Sequence, residues 1–505
     1  MASRRSGSVL RGVGRYVSNL TVKLQHSSRA AGWLSLLLVL VTLFAPLPFA
    51  SVLPRDQAVL QVLSLLAAAW ALGRLNRLPE LERLYKPAAL LLVLAGWGLL
   101  QSLPWPSPLV RLVSPQAYAG GSAGAALLDP GSTPAFLAPS LAPADSRATA
   151  LQLLAIVALF LAAGAAGTER AARRVVLFGF LVSALVQVLL GAEGFLTRSG
   201  RIWGKVVAGD SGRLRGTFVN SDHFALYVGL AALVATAWIW WSLRRAVRDR
   251  AFDEAIWLLG PPLLLFLIFF AAVAFSGSRA GMVALILGLC GQGILLAIHY
   301  RRWQILGAAV VALALGLGGV SLFGWQRGFV RFAETSAYEV TLNERLVAYR
   351  ASLRLLGDFF LTGSGLGSFD HAFPRVQPAQ LEASWEHAHS DLLELLITAG
   401  LPSLLVLVVG LYWLARRFYA VAQDGRRSED RAIGVAACGG FVFVAAFSLV
   451  DFGLTVPANS FTVALLFGLA AAASTGGLEA KKRSGLTVFL PKDAPSQPVA
   501  TAPSL

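Results

Sequence analysis

EHAHSDLLELLITAGLPSLLVLVVGLYWL, residues 386–414, sets the fold class. From Leu392 to Leu414 it is an apolar run, long enough to cross a hydrocarbon core of roughly 30 Å as a helix. Just before the run stand Glu386, His387, His389 and Asp391. Two imidazoles and two carboxylates therefore lie where the chain enters a membrane from the water side. Histidine titrates near neutral pH and can take a proton from a hydroxyl. The chain has only six histidines, so two of them in three positions call for an explanation.

The pattern of this stretch recurs. Of 505 residues, 56% are hydrophobic and only 14% charged, where a soluble chain carries about a quarter charged. A large soluble helical protein would show amphipathic stripes, not uniformly apolar runs. The expectation is an all-α polytopic membrane protein of about 12 transmembrane helices. The spans are read at 33–50, 58–73, 88–103, 148–167, 175–192, 223–243, 255–275, 282–298, 304–324, 390–415, 432–452 and 460–475. Cys290 and Cys438 fall inside apolar runs and read as small core residues.

The net charge of +16 is explained by the positive-inside rule, not by nucleic-acid binding. With the N-terminus inside, the inside loops 74–86, 168–174, 244–254, 299–303 and 416–431 hold 18 Lys/Arg in 52 residues. The outside segments 51–57, 104–147, 193–222, 276–281, 325–388 and 453–459 hold 15 in 158. The domain reading is a basic inside segment, 1–30, with an uncleaved first span; a transmembrane domain, 31–475; a long outside loop within it, 325–388; and a disordered inside tail, 476–505. His223, His371, His387 and His389 fall on or beside the outside face, with His26 and His299 inside. The functional face is expected outside.

That face collects the unusual polarity. Arg213 and Arg215 precede Asn220-Ser221-Asp222-His223 at the start of span six. The bland reading is a basic loop with Asn220, Ser221 or Asp222 as helix cap. Arg279 stands in Ser276-Gly277-Ser278-Arg279-Ala280-Gly281, a turn joining two spans. Its bland alternative is snorkelling to headgroups. An arginine at the hydrocarbon edge is costly unless it snorkels or is paired, and its planar fork suits two phosphate oxygens. Two such arginines can hold a diphosphate without a metal, and no Asp-x-Asp cluster lies on this face. In the long loop, 343–357 has helical spacing and carries Arg345, Tyr349, Arg350 and Arg354. Gly363, Gly365 and Gly367 then make a turn that is read as structural. At His387–Asp391 the bland reading has Asp391 capping span ten, with Glu394 at the third position. The functional reading has an imidazole as general base, oriented by Asp391 or Glu386. Asp451-Phe452 closes span eleven, with Asp451 either an arginine partner or a plain loop acid.

Taken in order, Arg215-Gly-Thr-Phe-x-Asn, Ser278-Arg279-Ala-Gly, Gly363-x-Gly-x-Gly-x-Phe369, His389-Ser-Asp-x-Leu-x-x-Leu-x-x-x-Gly400 and Asp451-Phe452 resemble the O-antigen ligase and Wzy-type polymerase superfamily. The resemblance runs from Arg213 to Asn459. It implies a GT-C-like membrane glycosyltransferase of the bacterial inner membrane, with its active site facing the periplasm. Such enzymes take an undecaprenyl-diphosphate-linked saccharide and transfer it to a lipid A core sugar or another glycan, with no metal and no cofactor. On the matching positions, Arg215 and Arg279 correspond to diphosphate-binding arginines and His389 to the candidate base. Ser390-Asp391 departs from the asparagine that follows this histidine in many members, and His387 remains a second candidate. Arg213, Arg345 and Asp451 complete the set expected to bind substrate. The expected reaction is direct displacement with inversion.

The bilayer, the lipid-linked donor and the glycan acceptor are the expected partners, with polysaccharide-assembly proteins as further candidates and no nucleic acid. Ligase and polymerase require the same base and clamp, so the residues do not separate them. The alternative from another class is a flippase for lipid-linked oligosaccharides. That would place charge or broken helices near mid-membrane, whereas here the polarity gathers at one face.

Overall fold

A computed structural model describes residues 29–75, 82–131, 133–207, 212–249, 255–301, 342–382 and 384–475. The chain is a helical bundle. Its long helices are α1 (Arg29–Phe44), α2 (Pro54–Leu75), α3 (Glu82–Gln101), α6 (Pro143–Gly167), α7 (Arg170–Thr197), α8 (Ser221–Arg248), α9 (Ala255–Phe275), α10 (Arg279–Tyr300), α11 (Leu342–Asp358), α13 (Asp391–Asp424), α14 (Ser428–Ser448) and α15 (Pro457–Ala471). Short helices α4 (Ser107–Val113), α5 (Pro115–Leu128) and α12 (Phe369–Ala372) lie in the connections. Two small antiparallel hairpins pair Trp105–Pro106 with Phe136–Leu137 and Arg201–Ile202 with Lys205–Val206.

Among the described residues, eight helices are long and apolar enough to cross a membrane: the one at Arg83–Gln101, α6, α7, α8, α9, α10, α13 and α14. Two shorter apolar helices, Gly32–Phe44 and Pro457–Ala471, stand where spans one and twelve were expected. α2 coincides with the second expected span but is not among the eight. The expected span at 304–324 lies outside the described residues, as do 325–341 of the long loop and nearly all of both terminal segments. Many large apolar side chains on these helices are exposed, among them Leu264, Val283, Val408 and Val409. Outward-facing aliphatics on helices whose backbone bonds are internally satisfied are what lipid requires. The chain is a polytopic all-α membrane protein.

Two helices form the centre. α8 is buried without a break from Ser221 to Leu233 and packs against α9, α14 and α10. α6 packs against α15, α3 and α2. α15 is buried on nearly all sides, which its uniformly apolar and small residues permit.

α13 is broken where the sequence has Gly400 and Pro402. Gly400 takes φ 64°, and a Cβ there would sit 2.5 Å from the Gly363 nitrogen. The break frees carbonyls that a regular helix would consume. Thr398 O accepts Gln101 Nε2 at 2.9 Å and Gly365 N at 3.0 Å, and Ala399 O accepts Trp97 Nε1 at 2.9 Å. The glycine turn 363–367 is therefore a docking loop seated on the broken helix, as its structural reading expected.

Candidate functional site

α11 carries the long loop's own small core. Ala348, Ala351 and Leu355 pack with Phe359, Phe369, Phe373 and Trp385. This core fixes the strand of chain from Trp385 to His389 above the start of α13. Arg345 and Tyr349, four apart on α11, share one helix face and both reach the same place. Tyr349 Oη donates to the His389 carbonyl at 2.6 Å, and Arg345 lies 3.7 Å from Asp222 Oδ2 and 3.9 Å from Asp451 Oδ2.

His389 is held in a left-handed conformation, φ 51°, which a non-glycine residue adopts at a cost of about 1–3 kcal/mol. Its ring lies edge-on to Trp385, 5.0 Å between centroids, and to Phe452, 4.9 Å. Nδ1 is buried, takes no hydrogen bond among the described residues, and faces Asp451 Oδ1 at 3.9 Å. Burial, followed by the charges of Arg345 and His387, pushes the imidazole down to about 3. His389 is thus neutral at physiological pH.

His387 is in the opposite condition. Its Nδ1 meets Glu394 at 3.0 and 3.2 Å, and its ring stacks on Phe452 at 4.3 Å. Burial opposes charge, but the Glu394 hydrogen bond and the charges of Glu394, Glu386 and Asp391 outweigh it and raise the pKa. One imidazole is held neutral and its neighbour is biased toward the cation. Phe452 touches a third imidazole, His223, edge-on at 4.6 Å.

The acids at the start of α13 do not do what the sequence reading assigned them. Ser390, not Asp391, is the cap, accepting from Leu393 N at 3.3 Å. Asp391 turns away from His387 and holds the next loop, accepting from Ser448 Oγ at 2.8 Å and Leu454 N at 3.1 Å. Glu394 takes the role of orienting His387 and also accepts from Ala388 N at 3.0 Å. The helix begins too late for His387 and Asp391 to share a face, so the four-residue spacing has no consequence.

Asp451 lies in the turn after α14, fully buried. Its Oδ1 accepts from Phe452 N at 2.9 Å. Burial and the neighbouring charge of Asp222 raise its pKa above the ordinary carboxylate range. Asp222 follows the Asn220 cap, which accepts from Asp222 N at 2.8 Å. Its carboxylate pairs with Arg213 at 3.2 Å. Arg213, Asp222, Arg345, Asp451 and His389 therefore form a continuous line of groups.

The arginines expected to bind diphosphate separate. Arg215 is buried, and its guanidinium donates to the carbonyls of Gly200 at 2.9 Å and of Val207 and Val219 at 3.4 Å. It braces its own loop. The following Thr217 is likewise docked, donating to Pro46 O at 2.5 Å and to Gln187 Oε1 at 2.9 Å. Arg279 is exposed at the first position of α10, beside the Ser278 cap. Arg345 lies within the cluster together with Arg213, and its Nε is buried, taking no hydrogen bond among the described residues. Sequence reasoning placed Asp222 only as a helix cap, His223 only on the outer face, and gave no orienting role to Glu394. The i, i+4 pair Arg345 and Tyr349 was the one periodic signal pointing to the shared face.

Residues 264–408 match the family model described as O-antigen ligase. The match supports the O-antigen ligase and Wzy superfamily. That likeness points to a glycosyltransferase-like membrane enzyme. No curated protein matches the chain. The matched segment contains Arg279, Arg345, His387 and His389, while Arg213, Asp222 and Asp451 come from outside it. The cluster is thus assembled from the matched segment and two flanking regions.

Proposed function

We propose that this protein transfers a saccharide from an undecaprenyl-diphosphate carrier to a sugar hydroxyl of a glycan or lipid A core acceptor. The reaction runs at the periplasmic face of the bacterial inner membrane, in a GT-C-like bundle of about twelve spans, without a metal ion and with inversion. His389 is the base. The observation that carries this reading is one buried cluster holding a neutral imidazole whose Nδ1 has no hydrogen bond among the described residues, 3.9 Å from Asp451, and Arg345, paired with two carboxylates at 3.7 and 3.9 Å.

The acceptor hydroxyl attacks the anomeric carbon as the bond from that carbon to the diphosphate oxygen breaks. The hydroxyl proton passes to His389, and the electron pair leaves with the lipid diphosphate. A positioned base contributes roughly 10²–10⁴-fold. Fixed guanidiniums stabilise the charge that develops on the leaving group. Burial keeps His389 unprotonated and ready, but it also weakens the base. An ionised Asp451 at Nδ1 and the anionic donor both raise its proton affinity, and they orient Nε2 toward the acceptor. In this reading Arg345 with Arg213 forms the inner clamp, Arg279 meets the diphosphate from the rim, and Arg215 shapes the loop beneath.

The test is transfer by the purified protein from a defined polyprenyl-diphosphate saccharide to an acceptor, with the anomeric configuration of the product determined. Retention of configuration, or transport of donor across proteoliposomes without bond formation, would overturn the proposal. Surface glycans of a deletion strain separate its two forms. Loss of all attachment to lipid A core indicates a ligase, and single-repeat chains indicate a polymerase.

A further inference from the structure

The other end of the bundle has a second polar centre. α8 starts beside Phe452 at Ser221 and ends at Arg248, about 42 Å away for 28 helical residues. α14 runs in the opposite sense, from Ser428 to Ser448. Between their far ends and the start of α7 lies a cleft of about 550 Å³, and its charged lining is eight arginines with Asp249 and Glu429.

The two acids are already engaged. Arg174 grips Glu429 through two bonds, 2.9 and 2.5 Å. Arg248 and Arg245 hold Asp249 at 2.8 and 3.6 Å. The other five arginines have no acidic partner among the described residues. Arg244 lies over the Tyr300 ring at 4.8 Å. Arg431 reaches His299 Nε2 at 3.4 Å, while its Nε is buried and takes no hydrogen bond. Arg170, Arg426 and Arg427 complete the group.

The positive-inside rule accounts for the sign of these residues. It does not account for their convergence. Three stretches distant in sequence, at 170–174, 244–249 and 426–431, turn their cations into one cavity, although the rule would be met equally by arginines splayed into water. Guanidiniums that share one cleft repel one another, and an anion bound between them relieves that repulsion.

We propose that this cleft binds a phosphate-bearing anion carrying two phosphate groups. Planar forks approaching from several directions suit paired phosphates, each able to take two parallel bonds. Trp241 in the lining is an interfacial residue type, which fits a cleft at headgroup depth. Basic clefts between spans on the Lys/Arg-rich side suit anionic lipid headgroups. A diphosphatidyl lipid and a soluble diphosphate share the chemistry and differ in source. None of these residues takes part in the saccharide-transfer reading, so the two ideas stand or fall separately.

The purified full chain is placed in nanodiscs of phosphatidylcholine containing a minor fraction of cardiolipin, and retained lipid is measured by native mass spectrometry. Inorganic pyrophosphate is titrated in detergent with thermal unfolding as readout. Preferential retention of cardiolipin assigns the lipid source, and saturable stabilisation by pyrophosphate alone assigns the soluble one. The Arg170→Ala/Arg427→Ala variant is expected to weaken either effect by about tenfold or more, with Arg170→Lys/Arg427→Lys keeping part of it. Equal retention of cardiolipin and phosphatidylcholine together with no pyrophosphate effect overturns the proposal. So does undiminished binding in the alanine variant. If the alanine variant does not run as a single species in gel filtration, the charge-reversed Arg427→Glu variant decides the matter: unchanged pyrophosphate and lipid binding by its folded protein would sink the proposal.

Discussion

The two ends of this bundle both concentrate arginine, and they balance it differently. At the His389 end, Arg213 and Arg345 face Asp222 and Asp451, with the carboxylates almost wholly buried. At the other end the arginines of the cleft outnumber the acids and line an open cavity. A balanced buried cluster cannot attract an ion from afar. What it does is fix which groups are charged, because every protonation change is felt by its neighbours in low dielectric. An unbalanced open cluster does the reverse. It attracts anions and leaves side-chain protonation alone. The first arrangement suits the proposed reaction centre and the second the proposed docking site.

The sharpest way to break this contrast is His389→Ala. Transfer is expected to fall about 10²–10⁴-fold in kcat, with little change in KM. Arg427→Ala at the opposite end is expected to leave kcat unchanged. A purified His389→Ala enzyme with wild-type turnover would remove the imidazole from the chemistry. Equal losses in the two variants would show that the ends are not separate.

Next in size is Arg345→Ala. It leaves Asp222 and Asp451 facing each other without the cation between them. Breaking a fully buried pair costs about 3–5 kcal/mol. Arg345 is partly exposed and its contacts are long, so about 1–3 kcal/mol is expected in chemical denaturation. Adding Asp451→Asn should recover part of that loss, because Asp222 keeps Arg213 and Asp451 is the carboxylate left without its cation. An Arg427→Ala control, with no acid at stake, should stay within about 0.5 kcal/mol of wild type. If the double variant is no better than Arg345→Ala alone, the arginine acts through packing and not through charge.

These pairings show what the sequence could and could not disclose. The helices were legible because span length and apolar content are local properties. α11 was legible because the spacing of 343–357 is periodic, and the glycine turn because it breaks that period. His389 drew attention because histidine is rare in this chain. The pairings were not legible, since they join residues far apart: Arg345 with Asp222 and Asp451, His387 with Glu394 across a helix start. Arg215 shows the converse case. Its position in a motif suggested ligand binding, but its donors go to the carbonyls of Gly200, Val207 and Val219, a use that no pattern of residue types reveals.

The pH profile of transfer tests how the reaction centre is charged. His389, held neutral down to about pH 3, should contribute no acid limb to kcat/KM near pH 6.5. Asp451, raised by burial and by Asp222, should contribute one above the ordinary carboxylate range of about 4, because only its ionised form accepts a proton-bearing Nδ1. Asp451→Asn should abolish that limb and lower the plateau about tenfold. A limb near pH 6.5 that persists in Asp451→Asn would identify an ordinary histidine as the titrating base. The cleft variant Arg427→Ala should keep the wild-type limb, and wild-type transfer with no limb above the ordinary carboxylate range would remove Asp451 from the role.

The smallest expected effect concerns His387, the imidazole that is biased toward charge. Glu394→Gln keeps one acceptor oxygen for Ala388 N but removes the negative charge that faces His387 Nδ1. A charge-assisted hydrogen bond contributes about 1.5–3 kcal/mol when dry, and His387 is a third exposed at its side chain, so about 1 kcal/mol is expected. The sign with pH follows from linkage. The folded pKa of His387 lies above its ordinary 6.5, so the folded state binds the proton more tightly than the unfolded chain does. Its contribution is fully present below pH 6.5 and is lost as pH rises through the folded value. The stability gap between wild type and Glu394→Gln should therefore be wide at about pH 5.5 and narrow at about pH 8.5. A gap of equal size at both pH values would mean that Glu394 matters only as an acceptor for Ala388 N. His387 would then be a neutral spacer stacked on Phe452, and the division between a neutral and a charged imidazole at this end of the bundle would disappear.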